Sequence, residues 1–217
     1  MTRAEHLLAI VGDVAGRRVI DIGCGEGQIA RAFAAAGADV IGYDPFIEPA
    51  APVEIGGGRY ELRRGAADAI ALADDSADLV LFVFSLHHVR VGRMEGALAE
   101  ARRLLVPGGT LCVAEPVADG PAHHVMAPYH DETAVRAAAF AALEAKARPA
   151  FGSSSTGYFS EWRRHPDFED YARQAIANMR FNGYTEEAVR APEVQRRFAA
   201  CTDPRGLEQP VRVTLYR

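Results

Sequence analysis

Apolar positions in the first half of the chain come in short continuous runs, each followed by a stretch with helical spacing. Arg18-Val19-Ile20-Asp21-Ile22 is an apolar strand that ends directly in glycines. Gln28 to Ala36 follows as a compact helix with Gly37 at its stop. Asp39 to Tyr43 reads as a second strand ending in Asp44-Pro45, and Tyr60 to Arg64 as a third, weaker one. From Leu79 to Phe84 the chain is apolar throughout, and with Asp78 it has the pattern of a central parallel strand buried on both faces. Met94 to Leu105 sets Leu98, Ala101 and Leu105 on one side of a helix, Pro107-Gly108-Gly109 turns the chain, and Thr110 to Ala114 is another strand. Residues 4–15 read as a short leading helix with Leu7, Leu8 and Val11 on one face. This alternation predicts an α/β fold: a doubly wound, Rossmann-like sheet, mostly parallel, with right-handed crossovers.

The second half departs from that rhythm. Residues 116–131 read as a loop rich in histidine and proline, and 149–156 as a breaker-rich loop. Glu132 to Ala147, 167–180 and 192–200 have helical patterns, and Val211 to Tyr216 reads as a terminal strand, antiparallel to the rest. Residues 46–58 read as loop, and the alanine-rich 66–73 is ambiguous. The expected organisation is one domain over residues 1–217, with 117–200 a helical insertion that covers the substrate. Tyr158, Phe159 and Trp162 read either as the lining of an apolar substrate pocket or as core aromatics of that added helical layer.

Composition narrows the class. With 217 residues, 49% hydrophobic, the chain has enough apolar material for a core without a disulfide or metal staple. A net charge of -5 argues against a nucleic-acid-binding face. Cys24, Cys112 and Cys201 are far apart and form no CxxC pair, which predicts a reduced, cytoplasmic protein without structural zinc. Neither a signal-peptide pattern nor a membrane-length apolar run is present. The expected partner is a small-molecule substrate, and no pattern speaks to the oligomeric state.

Ligands of open parallel sheets bind above the carboxyl ends of the strands. Three strand ends here carry suitable residues. Gly23-Cys24-Gly25-Glu26-Gly27 gives a sharp strand-to-helix turn open to close ligand approach. Asp44 is placed to accept ribose hydroxyls. Phe84-Ser85-Leu86-His87-His88 closes the central strand. Gly25-Glu26-Gly27-Gln28-Ile29-Ala30 also fits the dinucleotide form GxGxxA, so a nicotinamide-dependent oxidoreductase is one reading. Asp21, two residues before the first glycine, suits a cationic ligand better than a pyrophosphate. A binding module that keeps the cofactor fold without catalysis is a third reading, against which the intact turn and both carboxylates speak.

The segment Val19 to Gly27 resembles motif I of class I S-adenosylmethionine-dependent methyltransferases. Gly42-Tyr43-Asp44 resembles their ribose-binding strand end. Asp75 to Val80, running into Ser85-Leu86-His87-His88-Val89, is similar to the small-molecule branch that includes ubiquinone and menaquinone biosynthesis methyltransferases. Leu104 to Leu111 resembles the turn into the fifth strand. The resemblance covers roughly residues 15–116. It implies S-adenosylmethionine as cofactor, with Asp21, Gly23, Gly25 and Gly27 at the methionine moiety, Asp44 at the ribose and Ser85 near the methionine end. Family members often carry Gly-Asp-Ala before the fourth strand, where this chain has Gly65-Ala66-Ala67-Asp68. Adenine contact then falls to the Ala67 backbone or to Asp68. Such enzymes mainly align a nucleophile with an electrophilic methyl, and need a base only where the acceptor must lose a proton. His87 is one candidate base. His130, in the group His123, His124, Tyr129, His130 and Asp131, is the other. That group lacks the repeated spacing of a metal site, and none is expected.

Overall fold

Val19, Ile20 and Ile22 are each at most 2% exposed, as an apolar run flanked by strands on both sides requires. They belong to β1 (Arg18–Ile22) of a computed structural model that describes residues 1–201 and 203–217, the side chains of 180 and 181 excepted. Before it stands α1 (Arg3–Val11), capped by Thr2 and Glu5 in a reciprocal capping box. Then come α2 (Gln28–Ala35), β2 (Asp39–Asp44), β3 (Ala50–Ile55), β4 (Gly58–Arg64) and β5 (Ala77–Val83). A 3₁₀ turn (Leu86–His88) leads to α3 (Val91–Leu104) and β6 (Leu105–Pro116). Beyond it lie α4 (Gly120–Met126), α5 (Thr133–Ala142), a π-helical turn (Leu143–Ala147), α6 (Arg148–Ala150) and β7 (Ser154–Arg163). The chain ends with α7 (Phe168–Ala177), α8 (Met179–Asn182), α9 (Glu186–Val189), α10 (Pro192–Ala199) and β8 (Leu207–Tyr216).

The strands form an eight-stranded sheet in the order β3-β4-β2-β1-β5-β6-β8-β7. The pairs β1–β2, β1–β5, β2–β4 and β5–β6 are parallel, and β3–β4 is antiparallel. Ser153 and Arg217 exchange both backbone hydrogen bonds at 2.9 Å, the reciprocal pattern of an antiparallel pair at the far edge. The chain runs from β1 outward to β2 and β4, then crosses back to β5 on the other side of β1. That reversal makes the carboxyl ends of β1 and β5 a topological switch point, the place where doubly wound sheets bind ligands.

One strand, β3, lies where a loop was expected, and another, β7, begins inside one. β3 carries Pro52 and exposes all its residues but Ile55, so it has no alternation to betray it. β7 begins Ser-Ser-Thr-Gly and exposes its first five residues. Both sit at sheet edges, where one side of the ladder is free and polar residues and proline are tolerated. Tyr158, Phe159 and Trp162 thus lie on a strand and not in a helical layer, and Tyr158 is exposed. Gly120 to Met126, read as loop, is a helix started by Asp119.

The chain divides into two compact units, one of Met1–Glu115, Ala137–Gly157 and Arg212–Arg217, the other of Pro116–Arg136 and Tyr158–Val211. The core of the first packs α3 against β1, β5 and β6 through Ile20, Phe82, Met94, Leu98, Leu104 and Val113. In the second, Val125, Tyr171, Val194 and Leu207 are buried together against Phe168 and Phe198. Among the described residues no helix is long and apolar enough to cross a membrane.

Candidate functional site

The glycine turn is built by contacts with the ends of both neighbouring strands. The Gly23 and Cys24 N–H groups donate to the Tyr43 carbonyl at 2.7 and 3.2 Å, which ties the turn to β2. Gly23 has φ +78°, and a Cβ there would stand 2.4 Å from the Ser85 Cβ, so only glycine lets the ends of β1 and β5 meet. On the β5 side, the Ser85 hydroxyl donates to the Ile22 carbonyl at 2.6 Å. Gly25, at φ +50°, has nothing within 4 Å of the place a Cβ would take, so its backbone faces open space.

Two carboxylates flank this turn. Asp44 is half-buried, and its Oδ2 accepts the Gly25 N–H at 3.1 Å while Oδ1 accepts the Phe46 N–H at 2.9 Å. Each oxygen keeps a second lone pair for a hydroxyl. Asp21 is 1% exposed, between Gly42 of β2 and Leu81 of β5, and its Oδ2 has no hydrogen-bond partner. Burial, reinforced by the charge of Asp44, pushes its carboxyl up to about 7. The same burial and the two carboxylates push the Cys24 thiol up, which keeps it protonated and unreactive. An orphaned buried oxygen beside a side-chain-free turn fits a ligand with a cationic group, the character of the methionine moiety of S-adenosylmethionine.

The segment after β5 is suspended from β6. Phe84 takes φ +56°, a strained conformation for an aromatic residue, and its N–H donates to the Ala114 carbonyl at 2.8 Å. The guanidinium of Arg3, on α1, lies 3.5 Å from the centre of its ring. Glu115, the next residue of β6, uses both oxygens on the following turn. Its Oε1 accepts the Leu86 N–H at 2.9 Å, and its Oε2 is hydrogen-bonded to Nδ1 of His87. His87 and Glu115 are each 5% exposed, whereas His88 is exposed. Sequence reasoning missed Glu115. The available signal was a lone acid, Ala114-Glu115-Pro116, at a carboxyl strand end.

The structure therefore brings Asp21, Gly23, Gly25, Gly27, Asp44, Ser85 and His87 to neighbouring strand ends of the first unit. Ala67 packs against the core, and the Ala66 carbonyl accepts the Ala69 N–H at 3.1 Å. Asp68 forms an ion pair with Arg93 of α3 at 2.7 Å. His130 belongs to the second unit, its Nε2 3.0 Å from Glu132, which also pairs with Arg136 at 2.5 Å. There His123 is held below its ordinary range by burial and by Arg136, and Tyr129 meets Tyr171 hydroxyl to hydroxyl at 2.7 Å.

Residues 20–113 match a family model described as a methyltransferase domain. The chain is 37% identical over 108 residues to a demethylmenaquinone methyltransferase of Renibacterium salmoninarum, covering 48% of this chain and 44% of that protein. It is 39% identical over 131 residues to an uncharacterized methyltransferase of Mycobacterium ulcerans, covering 58% and 50%. The chain thus spans about half the length of the curated relatives it matches. The YcgJ protein of Bacillus subtilis shares the fold, with TM-score 0.62 over 99% of this chain and 97% of that one at 15% identity.

Proposed function

We propose that this chain, whose residues 20–113 are a methyltransferase domain, transfers a methyl group from S-adenosylmethionine to a small-molecule acceptor. The observation that carries the reading is Asp21, a buried carboxylate with one oxygen unpartnered beside three glycines. Buried polar atoms are nearly always satisfied within a protein, and the exceptions mark function. The domain match favours S-adenosylmethionine over a nicotinamide dinucleotide for the same turn. When bound, the cofactor supplies a methyl group made electrophilic by its sulfonium.

The chain's own residues then have separable tasks. Asp21 holds the cationic methionine end, and Gly23, Gly25 and Gly27 admit it to the backbone. Asp44 accepts ribose hydroxyls, Ser85 backs the methionine end, and the adenine lies toward Ala67 and Asp68. His87 takes the acceptor's proton at Nε2, because the Glu115 carboxylate accepts at Nδ1 and so selects that tautomer. His130 is the alternative base, in the unit we assign to acceptor selectivity. The acceptor class we infer is a hydroxylated aromatic ring. The name of the Renibacterium relative supports it. The three free cysteines fit a cytoplasmic setting.

Titration calorimetry tests the cofactor assignment. S-adenosylhomocysteine binds and NADH does not, and Asp44→Ala weakens S-adenosylhomocysteine roughly tenfold, the value of a charge-assisted hydrogen bond. Binding of NADH without S-adenosylhomocysteine overturns the reading. Incubation with S-adenosylmethionine and 1,4-dihydroxynaphthalene or catechol, followed by mass spectrometry, tests the acceptor class.

A further inference from the structure

β7 is the last strand of the sheet, and among the described residues no strand lies beyond it. The reciprocal hydrogen bonds between Ser153 and Arg217 fix which backbone groups there face outward. In an antiparallel ladder every second pair is hydrogen-bonded, so Ser155 turns its N–H and C=O towards β8, as Ser153 does. Ser154 and Thr156 turn theirs away from it. The hydroxyls of Thr156 and Thr214 meet at 3.1 Å, the close side-chain approach of a pair whose backbone groups point apart. Residues 152–157 are all exposed.

Long edge strands are normally guarded against pairing with another chain. β3, at the opposite edge, carries Pro52 and Glu54, and its register shifts between Ala50 and Val53. β7 has no such guard at its start, since from Ala150 to Ser160 the chain holds neither a charged residue nor a proline. The helix beside that edge is equally unguarded. Ala137, Phe140 and Ala141 of α5 are exposed, an apolar stripe where a solvent-facing helix carries charge. Phe140, 43% exposed, is placed by Arg212, whose guanidinium lies 3.8 Å from the centre of its ring. Arg212 directly precedes residues 213–217, the part of β8 that stands opposite residues 153–157.

We propose that the chain forms a two-fold dimer joined edge to edge along β7, with the Phe140 face of α5 buried beside the joint. Two antiparallel copies of β7 run the two sheets into one, and Ser154 and Thr156 of each copy exchange hydrogen bonds across the joint. A second copy suits this edge better than an unlike segment does. An uncharged strand has nothing to attract a partner's charge and nothing to repel its own, and serine and threonine side chains hydrogen-bond across paired strands. A two-fold joint also covers both open edges at once and closes the assembly.

The test is light scattering of the full chain behind a sizing column at micromolar concentration. The wild type reads twice the mass of one chain. Ser154→Pro removes an outward N–H and sets a ring on the edge, and shifts the reading to the mass of one chain. Ser154→Ala keeps the N–H and keeps the dimer. Phe140→Glu puts a charge on the helix face, where Arg212 can pair with it in the monomer, and halves the mass as well. Both disrupting variants keep the wild-type far-ultraviolet circular dichroism, because both side chains are exposed. Should Ser154→Pro unfold, Phe140→Glu alone decides. A wild type with the mass of one chain overturns the proposal, and so does a dimer that survives Phe140→Glu. Dissociation of Ser154→Ala to the same extent as Ser154→Pro overturns it too, since the backbone edge is then not what joins the copies.

Discussion

Asp21 sets a local conflict between stability and binding. Its folded carboxyl titrates near 7, against 3.8 for an unburied aspartate. The stabilisation linked to its protonated form is fully present below about pH 4 and is lost as the pH rises through 7. Urea unfolding at pH 5 and pH 8 should therefore show a loss on the order of 2 kcal/mol at the higher pH, a discounted share of that shift. Asp21→Asn should flatten this difference while binding S-adenosylhomocysteine less tightly. Equal pH slopes in the two proteins would rule the conflict out. Glu115 is the opposite kind of buried acid, with both oxygens engaged. Glu115→Ala strands the Leu86 N–H and the His87 ring nitrogen, and should cost on the order of 3 kcal/mol in the same assay. Glu115→Gln keeps two hydrogen-bonding atoms and should cost markedly less.

At the scale of elements, the turns matter more than the strands and helices they join. Gly23 and Gly25 share a left-handed backbone but differ in surroundings. Gly23→Ala drives a methyl into Ser85 and should lower the melting temperature by several degrees. Gly25→Ala meets no protein atom and costs only the backbone strain, about 1 kcal/mol. Its methyl nonetheless points into open space beside Asp44, so cofactor affinity should fall at least as far as for Gly23→Ala, with the fold largely kept. Thermal melts beside calorimetry separate the two effects. These turns were legible in the sequence because glycine and aspartate at strand ends have few other uses. The strands β1, β2, β5 and β6 were legible for a related reason, since only burial on both faces sustains such apolar runs. The edge strands β3 and β7 were not. Their pairing is made by the backbone, and exposed serines, Pro52 and Gly157 leave no alternation behind. Glu115 was hidden differently, because a single acid shows its two partners only once β5 and β6 lie side by side.

Across the whole molecule, the first unit gathers segments from the start, middle and end of the chain. Residues 137–157 belong to it although they follow α4 in sequence, so the single expected insertion, 117–200, corresponds to two separate stretches, 116–136 and 158–211. Helical spacing announced α7 and α10 of the second unit but not the unit to which each segment returns. Such membership is decided by tertiary packing, on which local periodicity is silent.

The contact between Gly23 and Ser85 also has a consequence in time. Sixty-two positions separate the two residues in sequence, the difference between 85 and 23. The chain must lay down β2, β3 and β4 and cross back before β5 can close that contact. Long-range closures of this kind come late and slowly. A nascent chain that has emerged only through β4 has a glycine turn and Asp44 but no wall of Ser85 behind them. On the proposed reading a cofactor therefore holds a finished sheet together but finds only half of its site while the sheet is being made. On the proposed cofactor reading, S-adenosylhomocysteine should slow unfolding and leave the refolding rate unchanged in stopped-flow experiments, so that the ligand acts on the lifetime of the folded chain and not on its formation.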